Sequence, residues 1–214
     1  MTKKPCDTDI YCLTGEEFSK GRSNIEVVRQ VIEAGVKTVQ YREKEKSKLA
    51  MYRECLILRT MTRDAGVSFI VNDYVDLAMA VEADGVHVGQ TDLPVPVIRN
   101  LTGGAMIIGL STHSPEQAVK AVEMGADYIG VGPLFTTKTK KDVCAPVGLD
   151  YLDYVVKSMD IPFVVIGGIK EQHVTDLVRR GASCVAMITE IVGADDIGDK
   201  IRTIRNNMKK GKKP

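Results

Sequence analysis

The stretch GLSTHSPEQAVKAVEMGADYIGVGP, Gly109 to Pro133, holds one complete unit of the pattern that decides the fold. It opens inside an apolar, β-rich run, Met106–Ser111, which reads as a strand covered on both faces. Ser114 then stands before Pro115, with Glu116 and Gln117 next, the chemistry of a helix N-cap followed by proline in the first turn. Pro115–Met124 carries helical spacing. Met124-Gly125-Ala126 stops it, since glycine at a helix C-terminus takes a left-handed turn at little cost. A second apolar run, Tyr128–Gly132, follows at once. A strand, a helix and a second strand joined this tightly form a unit whose strands run parallel.

The same unit repeats in both directions. Further strands are predicted at Ile10–Thr14, Thr38–Arg42, Ser68–Asn72, Gly85–Gly89, Phe163–Gly167 and Cys184–Thr189. Helical spacing recurs in Asn24–Ala34, Leu49–Asp64, Leu149–Lys157 and Glu171–Arg180, and the glycine stop recurs at Gly35 and Gly181. Eight strands alternating with about as many helices in 214 residues leave only short connections. A single α/β domain over 1–214 is expected, a (β/α)8 TIM barrel with a basic C-terminal tail from about residue 205. The alternative is an open doubly wound sheet. It is disfavoured because no GxGxxG follows the first strand.

Composition narrows the function. Net charge is +1, from 29 basic and 28 acidic residues. Seven of the basic residues and none of the acidic ones lie from Lys200 to Pro214, so the body of the chain is net acidic. A nucleic-acid binder more often has a basic body, and no nucleic-acid partner is expected. The longest apolar run, Ile161–Ile169, is far short of the roughly 20 residues of a membrane span. The chain shows no secretory signal, so a cytoplasmic location and no membrane association are expected. Five cysteines without a CxxC or a Cys/His cluster suit a reducing compartment and offer neither a zinc site nor a disulfide framework.

In such a barrel the chemistry collects at the C-terminal ends of the strands. The second strand ends Gln40-Tyr41-Arg42-Glu43-Lys44, and period-two alternation puts Gln40, Arg42 and Lys44 on one side, a set suited to a polyanion or else a charged loop. The third ends Asn72-Asp73, which is equally a turn signal. The fourth is followed by Asp92, near enough for Asp73 and Asp92 to share Mg²⁺, an ion that prefers oxygen ligands and keeps positions open for phosphate. His87, between two valines, reads as a structural histidine. Ser111 is left free to face the mouth. The sixth strand runs into Thr136–Asp142, a polar loop with the inventory of a phosphate-binding loop or lid. Gly167-Gly168 and Ile188-Thr189 close the seventh and eighth strands, where barrels of this kind commonly hold phosphate. Two anion sites side by side suggest a transferase.

Taken in order, QYREK (Gln40–Lys44), ND (Asn72-Asp73), DGVHVGQTDLP (Asp84–Pro94), GLSTHS (Gly109–Ser114), GVGPLFTTKTKKD (Gly130–Asp142), IGGI (Ile166–Ile169) and MIT (Met187–Thr189) resemble the thiamine-phosphate synthase (thiamine-phosphate pyrophosphorylase) family from Ile10 to about Ile204. The resemblance implies a Mg²⁺-dependent transferase of thiamine biosynthesis with one Mg²⁺ per subunit and two phosphorylated small-molecule substrates, and it is compatible with a homo-oligomer. The pyrimidine diphosphate would lie on Gln40, Arg42, Lys44, Asn72 and Lys140, with Ser111 at its diphosphate end and Mg²⁺ on Asp73 and Asp92. The thiazole phosphate would lie on Thr137, Thr139, Gly168, Ile188 and Thr189. Arg42, Lys44, Ser111 and Lys140 would be the catalytic set. The family more often has serine at the position of Thr189, which keeps the hydroxyl.

Overall fold

The computed structural model describes residues 8–137, 139 and 144–212. Eight strands alternate with helices: β1 (Ile10–Leu13), α1 (Asn24–Glu33), β2 (Thr38–Tyr41), α2 (Lys48–Asp64), β3 (Ser68–Asn72), α3 (Val75–Ala80), β4 (Gly85–Val88) and α4 (Val95–Leu101). They continue with β5 (Ile107–Thr112), α5 (Pro115–Glu123), β6 (Tyr128–Val131), α6 (Gly148–Ser158), β7 (Phe163–Val165), α7 (Val174–Arg179), β8 (Val185–Met187), α8 (Thr189–Val192) and α9 (Ile197–Gly211). Every neighbouring strand pair is parallel, and β8 closes onto β1. The expected (β/α)8 barrel is therefore the fold. The unit that decided the reading is present in detail: Ser114 accepts from Gln117 N–H at 3.3 Å, Pro115 opens α5, and Gly125 ends it at φ 79°.

Two apolar layers follow from strand alternation. Ile10 and Cys12 point out to the helices, while Tyr11 and Leu13 point into the barrel. The outer layer is large and aliphatic. The inner one is small (Tyr11, Leu13, Ile70, Tyr128, Val164, Cys184 and Ala186) and includes two tyrosines.

Charged latches hold the end of the barrel away from the strand C-termini. Asp84, just before β4, accepts the Phe69 N–H of β3 at 2.8 Å and pairs with Arg59 of α2 at 3.0 Å. Asp127, just before β6, accepts the Ile108 N–H of β5 at 2.7 Å and pairs with Arg99 of α4 at 2.8 Å. Asp9, just before β1, accepts the N–H of Ile10 on its own strand at 2.8 Å and pairs with Arg205 of α9 at 2.7 Å. The Asp84 and Asp127 carboxylates each tie two strands together, and all three are neutralised from the helix layer. Removing one leaves a strand N–H and a guanidinium without their acceptor, a loss of about 1–3 kcal/mol. Asp84→Ala is expected to lose that much in urea unfolding while keeping its turnover, because it lies at the opposite end from the rim. A loss under about 0.5 kcal/mol would mean that the latch does not stabilise the barrel.

One expectation is corrected. As far as Gly211, the basic segment from about 205 is a helix and not a tail. α9 continues to Gly211, capped at its start by Asp196, whose carboxylate accepts Asp199 N–H at 2.7 Å. Ile197, Ile201, Ile204 and Met208 recur at helical spacing and are buried, so the lysines and arginines between them form the wet face of an amphipathic helix. α3, α4 and α8, of six, seven and four residues, also add to the helices read from spacing.

Candidate active site

Alternation places Gln40 and Arg42 inward at the end of β2, while Tyr41 between them faces out and donates to Glu54 of α2 at 2.6 Å. Gln40 and Arg42 are only 2% and 3% exposed. The Arg42 main chain is fixed by Thr14, whose hydroxyl accepts Arg42 N–H at 2.8 Å and faces the Arg42 carbonyl at 3.2 Å. The Arg42 guanidinium donates to the Thr139 carbonyl at 3.2 Å, bringing the loop after β6 over the end of β2. Gln40 donates through Nε2 to the Tyr11 hydroxyl at 2.9 Å.

Four buried side-chain polar atoms have no partner among the described residues, and two of them are Gln40 Oε1 and Arg42 Nε. Buried polar groups in native proteins are nearly always satisfied, so these two atoms at one strand end could be completed by a polar ligand.

Asp73 follows β3 at φ 61°, the left-handed region, which Asp tolerates better than most residues but still at a cost. Its N–H donates to the His87 carbonyl at 2.8 Å, extending the β3–β4 ladder by one residue. Lys44 reaches the Asp73 carboxylate at 2.5 Å, so the two form an ion pair rather than independent charges. Asp92 turns back so that its carboxylate accepts Gly89 N–H at 2.7 Å. The Asp92 carboxyl is held above the ordinary carboxylate range. Shielding of its inward end from water contributes most, the adjacent Asp73 carboxylate adds repulsion, and Gly89 N–H and Lys44 oppose both. Two carboxylates side by side, one of them in an unfavourable negative field, form a donor set that a hard divalent cation fits. Among the described residues no group of three or more His, Cys, Asp or Glu forms a metal cluster, so water and ligand oxygens would complete the shell of such an ion.

Asn72 is buried at the end of β3, in register with His87 of β4. Ser111 is not free, as the sequence suggested. Its hydroxyl lies 2.9 Å from His87 Nε2, and its carbonyl accepts Gln90 Nε2 at 2.6 Å. His87 is satisfied on both nitrogens, with Nδ1 3.0 Å from the Tyr128 hydroxyl.

On the other side of the mouth, Thr137 and Thr139 pair through their hydroxyls at 2.9 Å. The loop after β6 is stitched to the β7 turn by Leu134 N–H to the Ile166 carbonyl and Phe135 N–H to the Gly167 carbonyl, both 2.9 Å. Gly168, at φ 64°, packs against the carbonyls of Phe135 and Thr136 so closely that no side chain fits there. Ile188 caps α8, and Thr189 opens it. Lys140 lies outside the described residues, as does most of the expected lid beyond Thr137. Gln40, Arg42, Lys44, Asn72, Asp73, Asp92 and Ser111 thus gather at the ends of β2 to β5. Thr137, Thr139, Gly168, Ile188 and Thr189 sit at the ends of β6 to β8.

Sequence reasoning missed Thr14, Tyr11 and Tyr128. The two tyrosines sit at inward positions, where a buried hydroxyl needs a partner, and that requirement was the available signal.

The fold is a (β/α)8 barrel with charged and polar side chains gathered at the C-terminal ends of its strands. The family described as thiamine monophosphate synthase matches residues 10–191. Thiamine-phosphate synthase of Pelotomaculum thermopropionicum is 63% identical over 199 residues, covering 93% of this chain and 91% of that protein. The enzyme of the same name from Lawsonia intracellularis is 53% identical, with 93% and 92% covered. Thiamine phosphate pyrophosphorylase from Pyrococcus furiosus superposes with a TM-score of 0.85 at 33% identity, covering 94% of this chain and 95% of that one. A 3-hexulose-6-phosphate synthase shares the fold alone, at TM-score 0.62 and 17% identity. The chain belongs to the thiamine monophosphate synthase family of transferases.

Proposed function

We propose that the chain joins 4-amino-2-methyl-5-hydroxymethylpyrimidine diphosphate to 4-methyl-5-hydroxyethylthiazole phosphate, giving thiamine phosphate and pyrophosphate with Mg²⁺. The observation that carries this reading is the pair of buried atoms without a partner among the described residues, Gln40 Oε1 and Arg42 Nε at the end of β2, together with the Asp73 and Asp92 carboxylates at the ends of the next two strands. An amide and a guanidinium buried together suit a ring that offers hydrogen-bonding edges and carries a charged tail.

The bond to be broken joins the pyrimidine CH₂ to a diphosphate oxygen. Departure of the diphosphate requires compensation of its charge, roughly −2 to −3. Mg²⁺ on Asp73 and Asp92 would supply neutralising charge at the leaving oxygens. Arg42 offers a planar fork, Lys44 a point charge held in place by Asp73, Lys140 a further cation and Ser111 a hydroxyl. Charge placed before the substrate arrives stabilises the developing anion without reorganisation. The electron-rich aminopyrimidine spreads positive charge from its CH₂, so a dissociative substitution needs no protein nucleophile. The Thr137–Thr139 pair, Gly168, Ile188 and Thr189 would hold the thiazole phosphate so that its ring nitrogen faces the CH₂.

An isomerase on the same scaffold, like the thiazole tautomerase relatives, would need the phosphate cup but not the cationic, carboxylate-lined half. The assembled Arg42, Lys44, Asn72, Asp73 and Asp92 favour the synthase. The test is to mix the protein with both substrates and Mg²⁺ and measure pyrophosphate. Release that requires both substrates is expected. No release, or release indifferent to the thiazole phosphate, would refute the reading.

A further inference from the structure

A chain of hydrogen bonds crosses the barrel interior beneath the rim. Gln40 Nε2 of β2 donates to the Tyr11 hydroxyl of β1 at 2.9 Å. The Tyr11 and Tyr128 hydroxyls, on β1 and β6, lie 2.8 Å apart. Tyr128 lies 3.0 Å from His87 Nδ1 on β4, and His87 Nε2 lies 2.9 Å from Ser111 Oγ on β5. Five strands contribute one residue each. Glycine makes room for the rings: a methyl group at Gly109 would overlap the Tyr128 ring and His87, and one at Gly130 would crowd His87 at 3.2 Å. Small barrels usually fill this space with branched aliphatic side chains, so a polar chain here needs a reason.

We propose that Tyr128 and His87 are positioning residues that hold the Ser111 hydroxyl as an outward hydrogen-bond donor to an anionic oxygen at the rim. The inference rests on the reading of Ser111 at the diphosphate end of the substrate. The chain can run in either direction, and the proposal takes the one in which every hydrogen is passed toward the rim. Tyr11 receives the Gln40 N–H and passes its own hydrogen to Tyr128. Tyr128 passes its hydrogen to His87 Nδ1, which therefore accepts. The ring hydrogen is then on Nε2 and points at Ser111 Oγ, leaving the Ser111 O–H for the anion. In the reverse direction Ser111 would give its hydrogen to His87 and present only lone pairs to the diphosphate.

Two measurements test this. In ¹⁵N NMR of the wild type, whose three histidines are separable by substitution, His87 is expected to carry its proton on Nε2 with Nδ1 accepting; a proton on Nδ1 overturns the direction and the proposal. In pyrophosphate-release kinetics, Ser111→Ala is expected to lower kcat on the order of 10²-fold. Tyr128→Phe should lower it about tenfold, the scale of one hydrogen bond tied to a charged partner, with KM little changed. The double variant should be no slower than Ser111→Ala, because Tyr128 acts through Ser111. Multiplicative losses, or a Tyr128→Phe enzyme at full speed, overturn the positioning role alone. A wild type that releases no pyrophosphate from the two substrates overturns the proposed function and this role together.

Discussion

Asp92→Ala is expected to reduce pyrophosphate release by at least about 10³-fold at ordinary Mg²⁺ while leaving the barrel folded. The size follows from losing one of two carboxylates that would hold the ion, and with it much of the charge compensation at the leaving group. Folding survives because Asp92 is exposed overall, and its one described structural bond is to Gly89 N–H, worth about 1 kcal/mol. Relief of the repulsion between Asp92 and Asp73 offsets part of that. Asp92→Asn separates the two effects: it keeps an acceptor for Gly89 but not the charge, and it should be nearly as inactive as Asp92→Ala. Steady-state release measured beside thermal unfolding checks both points. Unchanged activity in Asp92→Ala would remove the metal assignment.

Arg42→Ala is the second large effect, expected at about 10³-fold in kcat/KM. A guanidinium only 3% exposed, with Nε unpartnered among the described residues, costs desolvation in the ligand-free protein. That cost is justified if an anion completes its partners. Arg42→Met should therefore be as stable as the wild type or more so, although inactive. Pyrophosphate with Mg²⁺ should raise the melting temperature of the wild type and not that of the variant. Arg42→Lys should recover little, because an ammonium cannot reproduce the planar fork. Activity within tenfold of wild type in Arg42→Ala would contradict the role of this residue.

The barrel was legible because its signals are local. The Ser114-Pro115 cap, the glycines at 35, 125 and 181 and the unbroken apolar runs each act within a few residues of chain. The rim was legible to the same degree, since polar residues ending a buried strand are conspicuous against the apolar run before them. Pairings across strands were not. Nothing near Lys44 in sequence announces Asp73, 29 positions on, and nothing near His87 announces Tyr128. Ser111 looked free because its partner lies on another strand. α9 was misread because its many charges mask an apolar spacing that becomes visible only when Ile197, Ile201, Ile204 and Met208 are seen against the barrel. The Asp84 and Asp127 latches were missed for the same reason, as each joins residues 15 or more positions apart with an arginine from a third element.

The central claim is that Asp73 and Asp92 clasp one divalent cation against a diphosphate. The most direct measurement is anomalous diffraction from crystals grown with Mn²⁺ and pyrophosphate. The expected result is one strong peak at about 2.1–2.2 Å from an oxygen of each carboxylate, with pyrophosphate oxygens completing the shell and Arg42 turned onto the anion. Pyrophosphate bound with no cation at these two aspartates, or a cation held elsewhere on the barrel, would contradict it.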